Sequence, residues 1–216
     1  MVRPVARGKG RNPAAVHPRA RPTYKEIPVI LSKTAITALL SATAILSAAP
    51  ALAQATSPVF AAFATVCAAP AADFSAVRSA ADAHGWGETD TKADANMPGV
   101  TIADKITRSS TADKTGLVMS AWHGATKTGV KVSDCTVHVA KSDFGPLKDE
   151  AAAWLAFTAQ ETTPKKAIYR FTDTGGAHHA LAAGEYDAAA GGAGMQILTV
   201  SADANGTVLD LMMIKK

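Results

Sequence analysis

The sequence lacks the short motifs by which many hydrolases and metalloenzymes are recognised. It contains neither G-x-S-x-G nor H-E-x-x-H, which are typical of α/β-hydrolases and zinc peptidases respectively. Aromatic residues make up only 6% of the chain. No reaction can therefore be named from a local motif, and the sequence predicts no cofactor. Whether the protein is an enzyme is left open, with a non-catalytic role favoured.

A long apolar run is also lacking, because the one hydrophobic stretch is shorter than the ~20 residues that a transmembrane helix needs. This stretch follows Lys25 and Lys33, and it ends in Ala51-Leu52-Ala53 before Gln54. A basic flank, a short apolar region and small residues at the end are the three parts of a secretory signal peptide. We therefore predict cleavage between Ala53 and Gln54.

This interpretation divides the chain into three parts. Residues 1–33 form a basic leader, residues 34–53 are the signal peptide's hydrophobic region and cleavage site, and residues 54–216 form a single mature domain. The leader is long for a signal peptide, so translation starting after Met1 remains an alternative. We expect a periplasmic or secreted bacterial protein with no membrane attachment after cleavage.

The charge of the mature part differs from that of the whole chain. The formal net charge is +4, but eight of the 22 Lys and Arg residues and one of the 18 Asp and Glu residues precede residue 54. The remaining 14 basic and 17 acidic residues make the predicted domain mildly acidic. Because binding to phosphate backbones needs a basic surface, we expect no nucleic-acid partner.

Cysteine is scarce: only Cys67 and Cys135 occur, and both follow the predicted cleavage site. An even number of cysteines in an exported protein favours a disulfide. Two buried free thiols are the alternative. A thioredoxin-like redox pair is disfavoured because there is no C-x-x-C motif.

Hydrophobic periodicity predicts an α+β fold. Ser57-Pro58 and Asp73 have the residue types that begin helices, and a third helix is predicted from 144 to about 160. Alternation with a period of two predicts strands, listed here: 100–108, 117–123, 129–141, 167–172, 177–183, 196–202 and 207–214. The last two flank Asn205-Gly206, a pair favoured in type I′ turns. We expect an antiparallel sheet of about six strands with two or three helices packed on one face.

Histidines supply the candidate chemistry. If the second and third strands pair as a hairpin, His123 and His138 could approach each other, and Asp134 would share a face with His138. Such a group could bind zinc or copper, or provide a catalytic base. A one-residue change of register would separate these side chains, so no metal site is firmly predicted. His178-His179 would point to opposite faces of a strand, and we interpret them as solvent-facing edge residues.

A family resemblance agrees with export. Phe63 and Cys67 form an F-x3-C pattern, followed by an amphipathic helix that ends in Ala83-His84-Gly85-Trp86, and Cys135 follows on a predicted strand. The mature part resembles small secreted proteins of alphaproteobacterial type. This resemblance implies export and one disulfide, but no activity and no site residues.

The sequence therefore favours an exported, non-catalytic binding or structural domain. Its partner would be a protein or an envelope component, or its ligand a small molecule. The alternatives are an envelope hydrolase or a metal-binding module that uses His123 and His138.

Overall fold

The structure is a computed structural model that describes residues 56–89, 97–110 and 116–216. These residues belong to one compact unit, Pro50–Lys216. The predicted leader, the signal region and the cleavage site at Ala53–Gln54 lie outside the described residues. Among the described helices, none has the length and apolar character needed to cross a membrane.

Four α-helices and nine β-strands are formed by the described residues. The helices are α1 (Pro58–Phe63), α2 (Phe74–Ala83), α3 (Phe144–Leu155) and α4 (Tyr186–Gly191), with a π-helical turn at Ala64–Ala68 and a 3-10 turn at Ala183–Glu185. The strands are β1 (Trp86–Glu88), β2 (Val100–Ser110), β3 (Leu117–Thr126), β4 (Lys131–Val139), β5 (Glu161–Thr163), β6 (Lys166–Thr174), β7 (Ala177–Ala180), β8 (Met195–Ala202) and β9 (Thr207–Lys215).

All nine strands join one antiparallel sheet. Its order is β1-β2-β3-β4-β9-β8-β6-β5, and β7 also pairs with β6. The α+β class and the antiparallel sheet are confirmed, but the expected numbers of about six strands and two or three helices were too low. The two strands that were not predicted are β1 and β5. Each has three residues, which is too short to show a period of two.

The two faces of this sheet differ in their contacts with the helices. The face that contacts α1, α2 and α3, here called the first face, holds the hydrophobic core. Fully buried strand residues on it include Met119, Val137, Leu198, Leu209 and Leu211. Their neighbours in sequence point to the opposite side, here called the second face, because side chains alternate along a strand.

The predicted helix starts are confirmed. Ser57 caps α1, with its side chain accepting a hydrogen bond from the Phe60 N–H, and Pro58 is the first helical residue. Asp73 caps α2 by accepting from the Ala76 N–H. The third helix is shorter than predicted, because Ala156 adopts a left-handed conformation and ends α3 at Leu155.

The predicted hairpin between β8 and β9 is present, but the turn type was wrong. Ala202 pairs with Thr207, so the loop has four residues rather than two. The Asp203 side chain accepts hydrogen bonds from the N–H groups of Asn205 and Gly206. Of these two only Gly206 has a positive φ, whereas a type I′ turn needs two such residues. The Asp203 side chain therefore organises this turn.

Candidate functional site

The structure does not bring His123 and His138 together. In the β3–β4 hairpin His123 pairs with Ser133, whereas His138 pairs with Val118. Ser133 and His138 are five residues apart on one regular strand, so their side chains point to opposite faces. His123 lies on the first face, and His138 lies on the second.

Asp134 also lies on the second face, where it shares a side with His138. Asp134 is therefore separated by the sheet from His123. No group of three or more His, Cys, Asp or Glu side chains suited to a metal ion occurs within residues 56–89, 97–110 and 116–216. The three residues singled out from the sequence do not form one site.

The predicted disulfide is present. Cys67, in the turn after α1, is bonded to Cys135 in the middle of β4, and both residues are fully buried on the first face. The bond therefore ties the first helical segment to the centre of the sheet.

A cleft of about 840 Å³ opens on the first face, at one end of the sheet. The start of α2 forms one side of the cleft. The strand ends that line it come from β2, β3, β4 and β9. Its volume falls within the ~300–1,000 Å³ that is usual for small-molecule sites. We regard this cleft as the candidate site, and His123 is the one candidate from the sequence that lines it.

An aromatic and cationic cluster forms one wall of the cleft. The rings of Phe74 and His123 stack, with centroids 4.6 Å apart. The Arg78 guanidinium lies 5.0 Å from the Phe74 ring centroid and donates to Asp104 over 2.8 Å. These contacts fix the orientation of the four side chains, so this wall is preformed, with an aromatic centre beside an exposed ion pair.

Asp73 places an anionic group at the mouth of the same cleft. Hydrogen bonds from the backbone of Ala76 and from the Ser75 hydroxyl lower the pKa of Asp73, and His123 adds a smaller Coulombic contribution. The Ser75 hydroxyl donates to Asp73 over 2.7 Å. The Asp73 carboxylate therefore caps α2 by accepting these hydrogen bonds.

Gly124 gives the cleft its shape. A Cβ at this position would collide with the backbone carbonyl of Thr101, so only glycine lets β2 and β3 approach so closely here. The pairing of β2 with β3 shifts between Ile102 and Asp104, which leaves Ala103 as an extra residue. Such a bulge bends its strand and redirects the side chains beside it.

A second unusual cluster lies on the second face. Asp134 and Asp210 are diagonal neighbours there, because Asp134 pairs with Met212 and Thr136 pairs with Asp210. Burial and the adjacent Asp210 charge raise the pKa of Asp134 to about 9, although hydrogen bonds from Thr136 and Trp122 act in the opposite direction. Burial also raises the pKa of Asp210.

The two carboxyls are best described as sharing one proton. Oδ1 of Asp210 is buried and has no hydrogen-bond partner among the described residues, which makes a charge on this carboxyl costly. The Asp134 and Asp210 side chains are hydrogen-bonded to each other, so a proton held by Asp134 can be donated to Asp210, which removes the repulsion of two buried charges. We therefore expect this pair to carry one negative charge at neutral pH.

His178 and His179 do not act as a pair. His178 pairs with Asp173 and His179 with Thr172, which places them on opposite faces of β7. The ring centroids of His178 and Trp154 are 4.4 Å apart. His178 is therefore part of the packing around α3, which corrects the expectation that it faces solvent.

Comparison with known proteins gives no assignment: no family model matches this chain, and no curated protein or solved structure does so. The site must therefore be interpreted from its own residues.

The sequence analysis missed most of this cleft. Phe74 and Arg78 have the spacing of ordinary helix residues, and Lys131 and Lys215 look like solvated charges at strand ends. Only the pairing of β4 with β9, which joins residues 84 positions apart, brings these two lysines together. The one local signal was the Trp122-His123-Gly124 sequence, in which a glycine interrupts a strand pattern and so indicates a close backbone approach.

Proposed function

We propose that this protein is an exported, non-catalytic binding domain whose ligand occupies the cleft at the start of α2. The single observation that carries the proposal is the cleft itself, which has the volume of a small-molecule site and a preformed wall of Phe74 and His123. The buried disulfide supports export, because such bonds persist in oxidising compartments.

The polar groups of the cleft support binding rather than catalysis. Nucleophilic catalysis by a serine needs a base within hydrogen-bond distance of its hydroxyl. Ser75 and Ser133 both line the cleft, but neither is hydrogen-bonded to His123 in the described part of the chain. The Ser75 hydroxyl is instead bonded to Asp73, and the His123 ring is stacked on Phe74.

A thermal-shift screen of the full chain, produced under oxidising conditions, tests the proposal. The panel contains small organic acids, sugars, short peptides, divalent metals and a chelator. A compound present at about 100 times its Kd stabilises the folded state by about 2.7 kcal/mol, which raises Tm by several degrees.

Two variants assign any shift to the cleft. Ser133→Trp fills the cleft, whereas Thr162→Trp adds the same ring on β5, at an exposed position. We expect the shift to disappear in Ser133→Trp and to persist in Thr162→Trp. A shift that persists in both variants would place the ligand elsewhere, and turnover of the bound compound would contradict the non-catalytic part of the proposal.

A hydrolase is the second candidate, and it is favoured by one observation, the raised pKa of Asp134 beside Asp210. Carboxyls with shifted pKa values are typical of acid–base catalysis. Such an enzyme would use this pair on the second face in place of His123 and His138. Hydrolysis of a glycoside or peptide substrate that is abolished by both Asp134→Asn and Asp210→Asn would support it.

A further inference from the structure

The cleft contains two rows of side chains that differ in chemistry. One row runs across four strands through Asp104, His123, Ser133 and Met213, which are successive cross-strand partners. It includes the histidine that stacks on Phe74. His123, stacked on Phe74, and Met213 give this row its aromatic and apolar surface, whereas Asp104 in the same row is paired with Arg78.

The next row along the strands is cationic. Lys131 and Lys215 pair directly with each other across β4 and β9, and Ala125 continues the row on β3. Both lysines line the cleft and are exposed. Because the rows are two residues apart along the strands, they are separated by about 7 Å.

The lysine pair is not neutralised by any carboxylate in the described part of the chain. Among the described residues, no ion pair joins Lys131 or Lys215 to a carboxylate, whereas the nearby cation Arg78 is paired with Asp104. Like charges placed directly opposite each other on a sheet destabilise the pairing. An anion held between the two ammonium groups would relieve this repulsion.

Resting on the proposed function, we propose that the cleft binds a small organic anion that carries a planar apolar group. The planar group would pack against Phe74 and His123, and the anionic group would lie between Lys131 and Lys215. An aromatic carboxylate has this shape, since a ring and its carboxylate span the distance between the two rows.

A titration with matched probes tests the charge and the ring separately. The probes are benzoate, the uncharged benzamide of similar shape, and acetate, which has the charge without the ring. Binding to the full oxidised chain is followed by NMR at the backbone amide of Gly124, which lines the cleft. We expect benzoate to bind more tightly than either other probe, and its affinity to fall as salt is added.

Variants then assign the charge to the two lysines. Lys131→Gln/Lys215→Gln should weaken benzoate binding by about fivefold to tenfold, since each exposed ion pair contributes little by itself. The same variant should leave benzamide binding unchanged. The control Lys141→Gln/Lys165→Gln removes two exposed lysines that do not line the cleft, and it should leave benzoate binding unchanged.

The outcomes separate this inference from the function on which it rests. Equal binding of benzoate and benzamide at the cleft, or equal loss of benzoate binding in both lysine variants, would overturn the anionic ligand and keep the binding function. Phe74→Leu should weaken both ring-bearing probes, and unchanged affinity in that variant would overturn the role of the ring. If the Gly124 amide responds to no probe, the anion inference fails, and the thermal-shift screen decides the binding function independently.

Discussion

The two faces of the sheet are built from the same strands but depend on different physics. On the first face Cys135 and Leu211 are directly paired, both fully buried among apolar side chains of the helix layer. The adjacent pair, Asp134 and Met212, lies on the second face. Asp134 is only 5% exposed, yet it is a carboxyl.

This difference shows which face specifies the fold. Burying apolar surface contributes about 25 cal/mol per Å², so the first face supplies most of the driving force for folding. Burying a carboxyl is unfavourable unless it is hydrogen-bonded or neutralised. The second face therefore holds groups whose energy depends on protonation, and the following changes test the contrast from the largest expected effect to the smallest.

Removing the disulfide should have the largest effect. Cys67→Ala/Cys135→Ala opens a loop of 68 residues, which should lower the free energy of unfolding by about 4 kcal/mol. Urea unfolding of the oxidised wild type and the double variant measures this loss. A loss below about 1 kcal/mol would show that the first face holds the helix layer without its covalent link.

Neighbouring truncations on β9 compare the two faces directly. Leu211→Ala leaves a cavity in the core and should lower the free energy of unfolding by about 3 kcal/mol. Met212→Ala deletes a side chain of similar size that is only half-buried on the second face, and it should cost about 1 kcal/mol. Chemical denaturation of both variants gives the two values. Equal losses would contradict the assignment of the core to the first face.

Asp134→Asn should remove a pH dependence that belongs to the second face. The pKa of Asp134 is about 9 in the folded state and about 3.9 in an unfolded chain, so between these values only the folded state holds the proton. The stability that this proton supplies is complete below about pH 4, and it is lost as pH rises through about 9. The wild type should therefore become less stable with increasing pH.

The slope cannot exceed that of one proton, which is roughly 1 kcal/mol per pH unit, so the loss between pH 6 and pH 8 is on the order of 2–3 kcal/mol at most. Asp134→Asn keeps a hydrogen-bond donor without a titrating group, so its stability should vary less over this range and should exceed that of the wild type at pH 8. Asp143→Asn, at an exposed position before α3, is the control. Identical slopes in the wild type and Asp134→Asn would contradict the shared proton.

Two hydrogen bonds between α3 and the start of α1 should contribute least to the free energy of unfolding. The Glu150 carboxylate of α3 accepts hydrogen bonds from the N–H and the hydroxyl of Ser57 at the start of α1, over 2.8 and 2.7 Å. Glu150→Ala should cost about 1 kcal/mol of unfolding free energy. The adjacent Asp149→Ala removes an exposed carboxylate and should cost less than about 0.5 kcal/mol. If both variants have the same stability, the hydrogen bonds between Ser57 and Glu150 contribute nothing measurable.

Much of the fold follows from local patterns in the sequence. Ser57, Pro58 and Asp73 predict helix starts because their side chains act on the nearest backbone groups. The long strands are predicted because one face is apolar along their whole length, as with Cys135, Val137 and Val139. The short elements β1 and α4 escape prediction, because neither has a strong start signal such as Ser57-Pro58 and both are too short to show a period of their own.

The candidate site is harder to predict, because register decides it. A shift of one residue in the β3–β4 pairing would have placed His123 and His138 on the same face, but it would also have moved the apolar face of β4 away from that of β3. The alternation of apolar and polar residues in both strands therefore disfavours that shift, and this wider pattern rather than the histidines themselves separates the two side chains. Lys131 and Lys215 become neighbours only through the pairing of β4 with β9. Pairing between strands distant in sequence therefore determines the chemistry of the cleft.

The position of β9 has a consequence for when this chain can fold. β9 is the last strand in the sequence, yet it lies in the middle of the sheet between β4 and β8. Until residues 207–215 are available, β1–β4 and β5–β8 remain two sheets, each with an unpaired edge. The core therefore cannot close on a nascent or partly translocated chain before residues 207–215 have emerged. For a protein exported as we propose, this strand order would favour folding after passage across the membrane rather than before it.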